Sequence, residues 1–97
     1  MTMVSRPYPV RRHRTSHAAL DAKTQELIGL AVAAQIPCNY CVYAHTKRLK
    51  NKLGVSDAEI KEAIAIAGNI RLFSTVLYGS GYDFETFKVE FDRTLAP

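Results

Sequence analysis

The stretch PCNYCVYAHT, residues 37–46, carries two cysteines three apart and a histidine four past the second. Sulfur and imidazole at these intervals suit a thiol–disulfide couple, part of a metal site, or an ordinary face of a helix. On an α-helix, positions three and four apart share a face, so Cys38, Cys41 and His45 project together. His45 lies one turn beyond Cys41, close enough for a ring nitrogen to approach the sulfur. Cys38 stands at the helix start, where unpaired N–H groups and the helix dipole favour a thiolate. A base in such an arrangement needs a third group to orient it. Glu26 is the candidate, on a face shared with Gly29, Leu30 and Ala33. A carboxylate seldom sits in apolar company without a partner. The small Gly29 and Ala33 let a second helix approach that face.

The elements that must position these groups are helical. LDAKTQELIGLAVAAQI (20–36) has Asp21 or Thr24 as a cap and is apolar on nearly every side, the pattern of a helix buried at the centre or by a partner subunit. Pro37 breaks it and can fold a second helix back on the first, with Glu26 then pointing toward His45. That second helix runs from about Pro37 or Cys38 to Leu53, Pro37 suiting its first turn and Gly54 its left-handed C-cap. Ser56 and Glu59 form a capping box, and Val55 with Ile60 a hydrophobic staple, for a third helix ending at Gly79 or Gly81. Gly68 inside it suggests close helix packing. Asp83 caps a fourth, with Phe84, Phe87, Phe91 and Leu95 on one side. No segment alternates with period two, so the fold class is all-α, with about four helices over residues 20–97.

Residues 1–19 read as a basic arm, docked at most through Tyr8 or Val10. Of the chain's 13 Lys and Arg, the arm holds Arg6, Arg11, Arg12 and Arg14, and the other nine balance nine Asp and Glu. The excess of +4 therefore belongs to the arm. Such an arm can touch nucleic acid or an acidic surface, but four arginines without interleaved aromatics are weak evidence for that. Arg11 and Arg12 are followed by no apolar stretch before Asp21 and Lys23, so a secretory or twin-arginine signal is not expected. No apolar run reaches the ~18 residues of a membrane span. Two cysteines this close give little global stabilisation as a bridge, which makes them chemical rather than structural and places the protein in a reducing cytosol. As a metal site, Cys38, Cys41 and His45 supply three ligands where a structural zinc takes four, and His13 and His17 lie in the arm at no recognised spacing. A c-type haem needs histidine directly after the second cysteine, where Val42 stands. No cofactor is expected. The alternative to an enzyme is a Cys/His metal-binding or assembly module whose basic arm touches nucleic acid.

The order Glu26, Cys38, Cys41, His45 resembles the site motif E-x(11)-C-x-x-C-x-x-x-H of the AhpD-like alkylhydroperoxidases, within the carboxymuconolactone decarboxylase superfamily. The likeness runs from Leu20 to Gly68 and more loosely through STVLYGSGYDF. It implies a helical subunit that assembles into trimers, hexamers or related oligomers. It also implies a thiol-dependent peroxidase whose dithiol is recycled through a disulfide by an external lipoyl-like or thioredoxin-like dithiol. Tyr40 departs from the pattern: the best-known members carry there a histidine that joins the proton relay. Lactone decarboxylases of the superfamily generally lack the cysteine pair, so lyase chemistry fits poorly. In the cycle this suggests, Cys41 attacks the peroxide, Cys38 condenses with the sulfenic acid, and His45, held by Glu26, handles the protons.

Overall fold

The structure, a computed structural model, describes residues 18–97; the basic arm, with Tyr8, Val10, His13 and His17, lies outside the described residues. Four helices follow in order and no strand occurs among the described residues: α1 Ala22–Gln35, α2 Asn39–Asn51, α3 Asp57–Gly79 and α4 Phe84–Thr94. Each begins where the sequence offers an acceptor for the orphan N–H groups of a first turn. Asp21 accepts from the Thr24 N–H at 2.8 Å, and Asp83 from Thr86 at 2.9 Å. Ser56 and Glu59 form the reciprocal capping box of α3. The Glu59 carboxyl also pairs with Lys23 of α1; that contact first, and the Ser56 backbone N–H next, pull its pKa down to about 2.

The α1–α2 connection differs from the expectation in one detail. Pro37 is not in the first turn of α2 but in the turn before it, after a cis Ile36–Pro37 bond. The N-cap is Cys38, in extended geometry, with its sulfur 3.2 Å from the Cys41 N–H. A cap side chain can serve the N–H three residues on only from outside the helix, which leaves proline just before the cap and two places upstream of the first helical residue. The turn is closed by Cys38 N–H donating to the Ala33 carbonyl at 2.9 Å. Gly54, at φ 63°, reverses the chain after α2, and Val55 N–H returns to the Leu49 carbonyl at 2.9 Å.

α1 is central: α2 packs on it antiparallel, and α3 lies alongside it in the same direction. Two ties set the α3 direction. Lys23 meets Glu59 near both N-termini. Near the C-terminus of α1, Arg71 donates to the Gln35 carbonyl at 3.1 Å and Gln35 donates to the Ala67 carbonyl at 2.5 Å. Arg71 thus sets a cation on the unpaired carbonyls of a helix end, a favourable placement. Leu30, Leu49, Val55 and Ile60 form the buried core, flanked by Leu27, Val42 and Leu53. Val55 and Ile60 are the expected staple.

Beyond Ala67 the chain leaves this body. From Gly68 to Pro97 only Leu77 and Phe87 are less than exposed. Gly68 has open space where a side chain would go, so the close packing expected there does not occur within one chain. The outer side of α1 is also bare, with Ile28, Val32 and Ile36 exposed. The near-continuous apolar character of α1 is therefore used on one side only by its own subunit. No described helix is long and apolar enough to cross a membrane.

Candidate active site

The hairpin of α1 and α2 explains the spacing of the four residues. Glu26 precedes Ala33 by seven residues, and His45 follows Cys38 by seven. The Ala33–Cys38 hydrogen bond closes the hairpin between them. At 1.5 Å per residue both arms run about 10 Å from the closure, which brings Glu26 and His45 level. They meet: His45 Nδ1 lies 2.6 Å from Glu26 Oε1. Glu26 is buried, the only buried charged side chain among the described residues.

Gly29 makes the approach possible. A Cβ on it would fall 2.5, 2.8 and 2.9 Å from His45 Cε1, Nε2 and Nδ1. The imidazole lies flat against the backbone of α1, where no other residue leaves room. Gly29→Ala is therefore an inverted substitution. In an ordinary helix interior it stabilises by about 1 kcal/mol; here overpacking costs about 1–3 kcal/mol and drives the ring off Glu26. A lowered melting temperature by circular dichroism, with any His45-dependent reaction falling about 10²-fold, is the expected outcome.

Arg48, which no local sequence signal singles out, completes the cluster. Its Nε is buried and lies 3.0 Å from the same Oε1, but its N–H is not aligned with that oxygen, so the contact is an ion pair rather than a hydrogen bond. Its Nη2 lies 3.4 Å from His45 Nδ1. One nitrogen cannot serve both neighbours: a carboxylate only accepts and a guanidinium only donates. The far shorter contact to Glu26 decides it, so Nδ1 carries the proton and donates to Glu26, and Nε2 is the free nitrogen. Burial acts to raise the Glu26 pKa. The His45 hydrogen bond and then the Arg48 guanidinium outweigh it, leaving the carboxyl below the ordinary glutamate range.

Cys38 and Cys41 are joined as a disulfide, their Cα atoms 5.3 Å apart, inside the usual range for a bridge. Both are half-buried. Neither ring nitrogen of His45 hydrogen-bonds a sulfur among the described residues; His45 follows Cys41 by one turn of α2. Tyr40 and Tyr43 point outward, 88% and 67% exposed, and take no part in the cluster. No group of three metal-ligating side chains forms among the described residues.

The family model of the carboxymuconolactone decarboxylases matches residues 9–79, most of the chain and the whole of this site. The chain belongs to the carboxymuconolactone decarboxylase family. It is 38% identical over 53 residues to "Uncharacterized protein 4 in cox locus" of Paracoccus denitrificans, a match covering 55% of this chain and 47% of that protein. The chain thus spans about half the length of the curated relative it matches. No solved structure matches. Within this family assignment, Glu26, Cys38, Cys41 and His45 all fall inside the matched segment, and so does Arg48.

Proposed function

We propose that this member of the carboxymuconolactone decarboxylase family is a thiol-dependent peroxidase, acting on hydroperoxides through the Cys38–Cys41 dithiol. The observation that carries the reading is the buried Glu26–His45 pair, built on the same hairpin as a cysteine pair already at bonding distance. A structural role for the pair alone gives no reason for a free imidazole nitrogen one turn from a sulfur.

His45 Nε2 takes the Cys41 thiol proton, the Cys41 thiolate attacks the distal oxygen of ROOH, the O–O bond breaks, and Nε2 returns that proton to the leaving alkoxide. Cys41 becomes a sulfenic acid. Cys38 displaces its hydroxyl as water and forms the disulfide. An external dithiol, lipoyl-like or thioredoxin-like, gives two electrons and two protons to restore both thiols. That cycle belongs in a reducing compartment such as the cytosol.

Acid catalysis, rather than thiolate formation, supplies most of the rate. Lowering a thiol pKa from ~8.5 to ~7 raises the thiolate fraction at pH 7 about 16-fold. The accompanying loss of nucleophilicity takes back about fivefold. A positioned general acid is worth about 10²–10⁴. His45→Ala and Glu26→Gln should therefore cut the oxidation rate by about 10²-fold or more while the fold persists. The test is hydroperoxide consumption by the fully reduced protein, with thiols counted before and after. Loss of two thiols per peroxide consumed, as an intramolecular Cys38–Cys41 disulfide, is expected. Unchanged thiols, or links between chains only, overturn the reading.

A further inference from the structure

We infer that Arg48 is a positioning residue that keeps the Glu26–His45 pair working in one direction: its guanidinium holds Glu26 as a carboxylate whatever the protonation of His45, so Nδ1–H stays turned to Glu26 and Nε2 stays free for the sulfurs. The inference rests on the relay proposed for Glu26 and His45.

A buried carboxyl beside a neutral imidazole has two states, which differ by one proton taken up as pH falls. Either the carboxylate accepts from Nδ1–H and Nε2 is the working nitrogen, or the carboxyl keeps the proton and donates it to Nδ1. In the second state a proton sits on Nε2, which can no longer act as a base. Burial favours the second state, because it removes a charge from a poor solvent for charge. Arg48 opposes this. It brings a permanent positive charge 3.0 Å from Oε1, the very oxygen that His45 uses. Its Nη2 also lies 3.4 Å from Nδ1, a longer contact than the one to Glu26. No other group competes. From α2, only His45 and Arg48 face Glu26. From α3, Glu59 is engaged with Lys23, and Arg71 with the Gln35 carbonyl.

Arg48 also sits three residues past His45, so both side chains leave the same face of α2 and reach Glu26 from one side. The packing of α2 on α1 that brings His45 into place brings Arg48 with it. Its Nε is buried while the side chain as a whole stays 39% exposed, which fixes the charge at the carboxylate without burying the whole guanidinium.

The test begins on the disulfide form, with no peroxide and no reductant. Carboxyl ¹³C NMR follows the ionisation of Glu26, and ring ¹⁵N NMR follows the tautomer of His45. In the wild type, Glu26 titrates below ordinary glutamates, and Nδ1 is the protonated nitrogen of the neutral ring. Arg48→Met keeps the stem and the helix but removes the charge; the Glu26 midpoint should rise, and the Nε2–H tautomer should appear as pH falls. Arg48→Lys restores the charge and should keep Glu26 low. A Glu26 midpoint that does not move in Arg48→Met overturns the inference.

The second arm uses the reduced protein and iodoacetamide. Arg48→Met should slow alkylation of the dithiol about tenfold at pH 5.5 and little at pH 8. In a Glu26→Gln background the same change should have no further effect, because the residue acts through Glu26. An Arg48 effect that persists there shows direct action on the sulfurs and overturns the inference. Neither arm needs peroxide: if Glu26 and the thiols respond as described while hydroperoxide is not consumed, the peroxidase reading fails and the role of Arg48 stands.

Discussion

Cys41→Ser should abolish hydroperoxide turnover, whereas Cys38→Ser should complete one turnover and stop. The difference follows from where each sulfur sits. Cys41 is inside α2, and His45 follows it at i+4, so a proton leaving or reaching the Cys41 side has an imidazole one turn away. Cys38 is the N-cap, with no such neighbour, and its sulfur already accepts the Cys41 N–H at 3.2 Å. Serine at position 41 removes the nucleophile, and no other group in the cluster replaces it. Serine at position 38 leaves the first step intact and removes only the resolving thiol, so Cys41 is trapped as sulfenic acid or as a mixed disulfide. Mass spectrometry after one equivalent of hydroperoxide separates the two: about 16 Da added to Cys38→Ser and nothing added to Cys41→Ser. The N-cap position is also the stronger stabiliser of a thiolate. If oxygen is gained by Cys41→Ser instead, the N-cap has decided the order of attack and the two roles are exchanged.

How much of this site is legible in the sequence depends on whether the signal is local. Caps are local: Asp21, Ser56 with Glu59, and Asp83 each announce a helix within four residues, and each does so in the structure. The pairing of Glu26 with His45 is not local. It is legible because a carboxylate on an apolar face demands a partner, and because Gly29 marks where a second helix comes close. Arg48 gives no such signal. It is one of four cations between Lys47 and Lys52, and only the approach of α2 to α1 separates it from its neighbours. Lys47 turns to the Tyr43 ring and Lys50 to Asp57, while Arg48 alone faces Glu26. Pro37 lies two positions upstream of the first helical residue, the place its type suits, because Cys38 has the geometry to cap α2 and proline does not. Gly68 reads as a packing contact in the sequence and makes none within one chain.

Purified protein should sediment well above the 10.8 kDa of one chain, and Phe73→Asp should bring it down to that mass. α3 continues for three turns past Ala67, and in that stretch Ile70, Leu72, Phe73 and Val76 are each more than half exposed. Apolar side chains on several sides of one projecting helix have no single face to turn to solvent. α4 and its C-cap add Phe84, Phe91 and Leu95, and α1 and its C-cap add Val32 and Ile36. Burying each large side chain contributes about 1.5–3 kcal/mol, so leaving all of them in water forgoes more than the marginal stability of a domain this size. Soluble monomers do not carry apolar surface on this scale. A second copy of the chain offers matching surfaces at no cost in new sequence, and trimers or hexamers fit the family likeness. Phe73→Asp is the discriminating change. On a free surface it is nearly neutral; inside a subunit contact it buries an unpaired charge, which costs several kcal/mol and dissociates the assembly. Val32 and Ile36 lead directly into Pro37 and Cys38, so a neighbour covering them also shields the disulfide on that side. Dissociation by Phe73→Asp should then speed alkylation of the reduced cysteines while Glu26 and His45 remain paired. A wild-type chain that sediments as a monomer at micromolar concentration and still consumes hydroperoxide refutes the assembly.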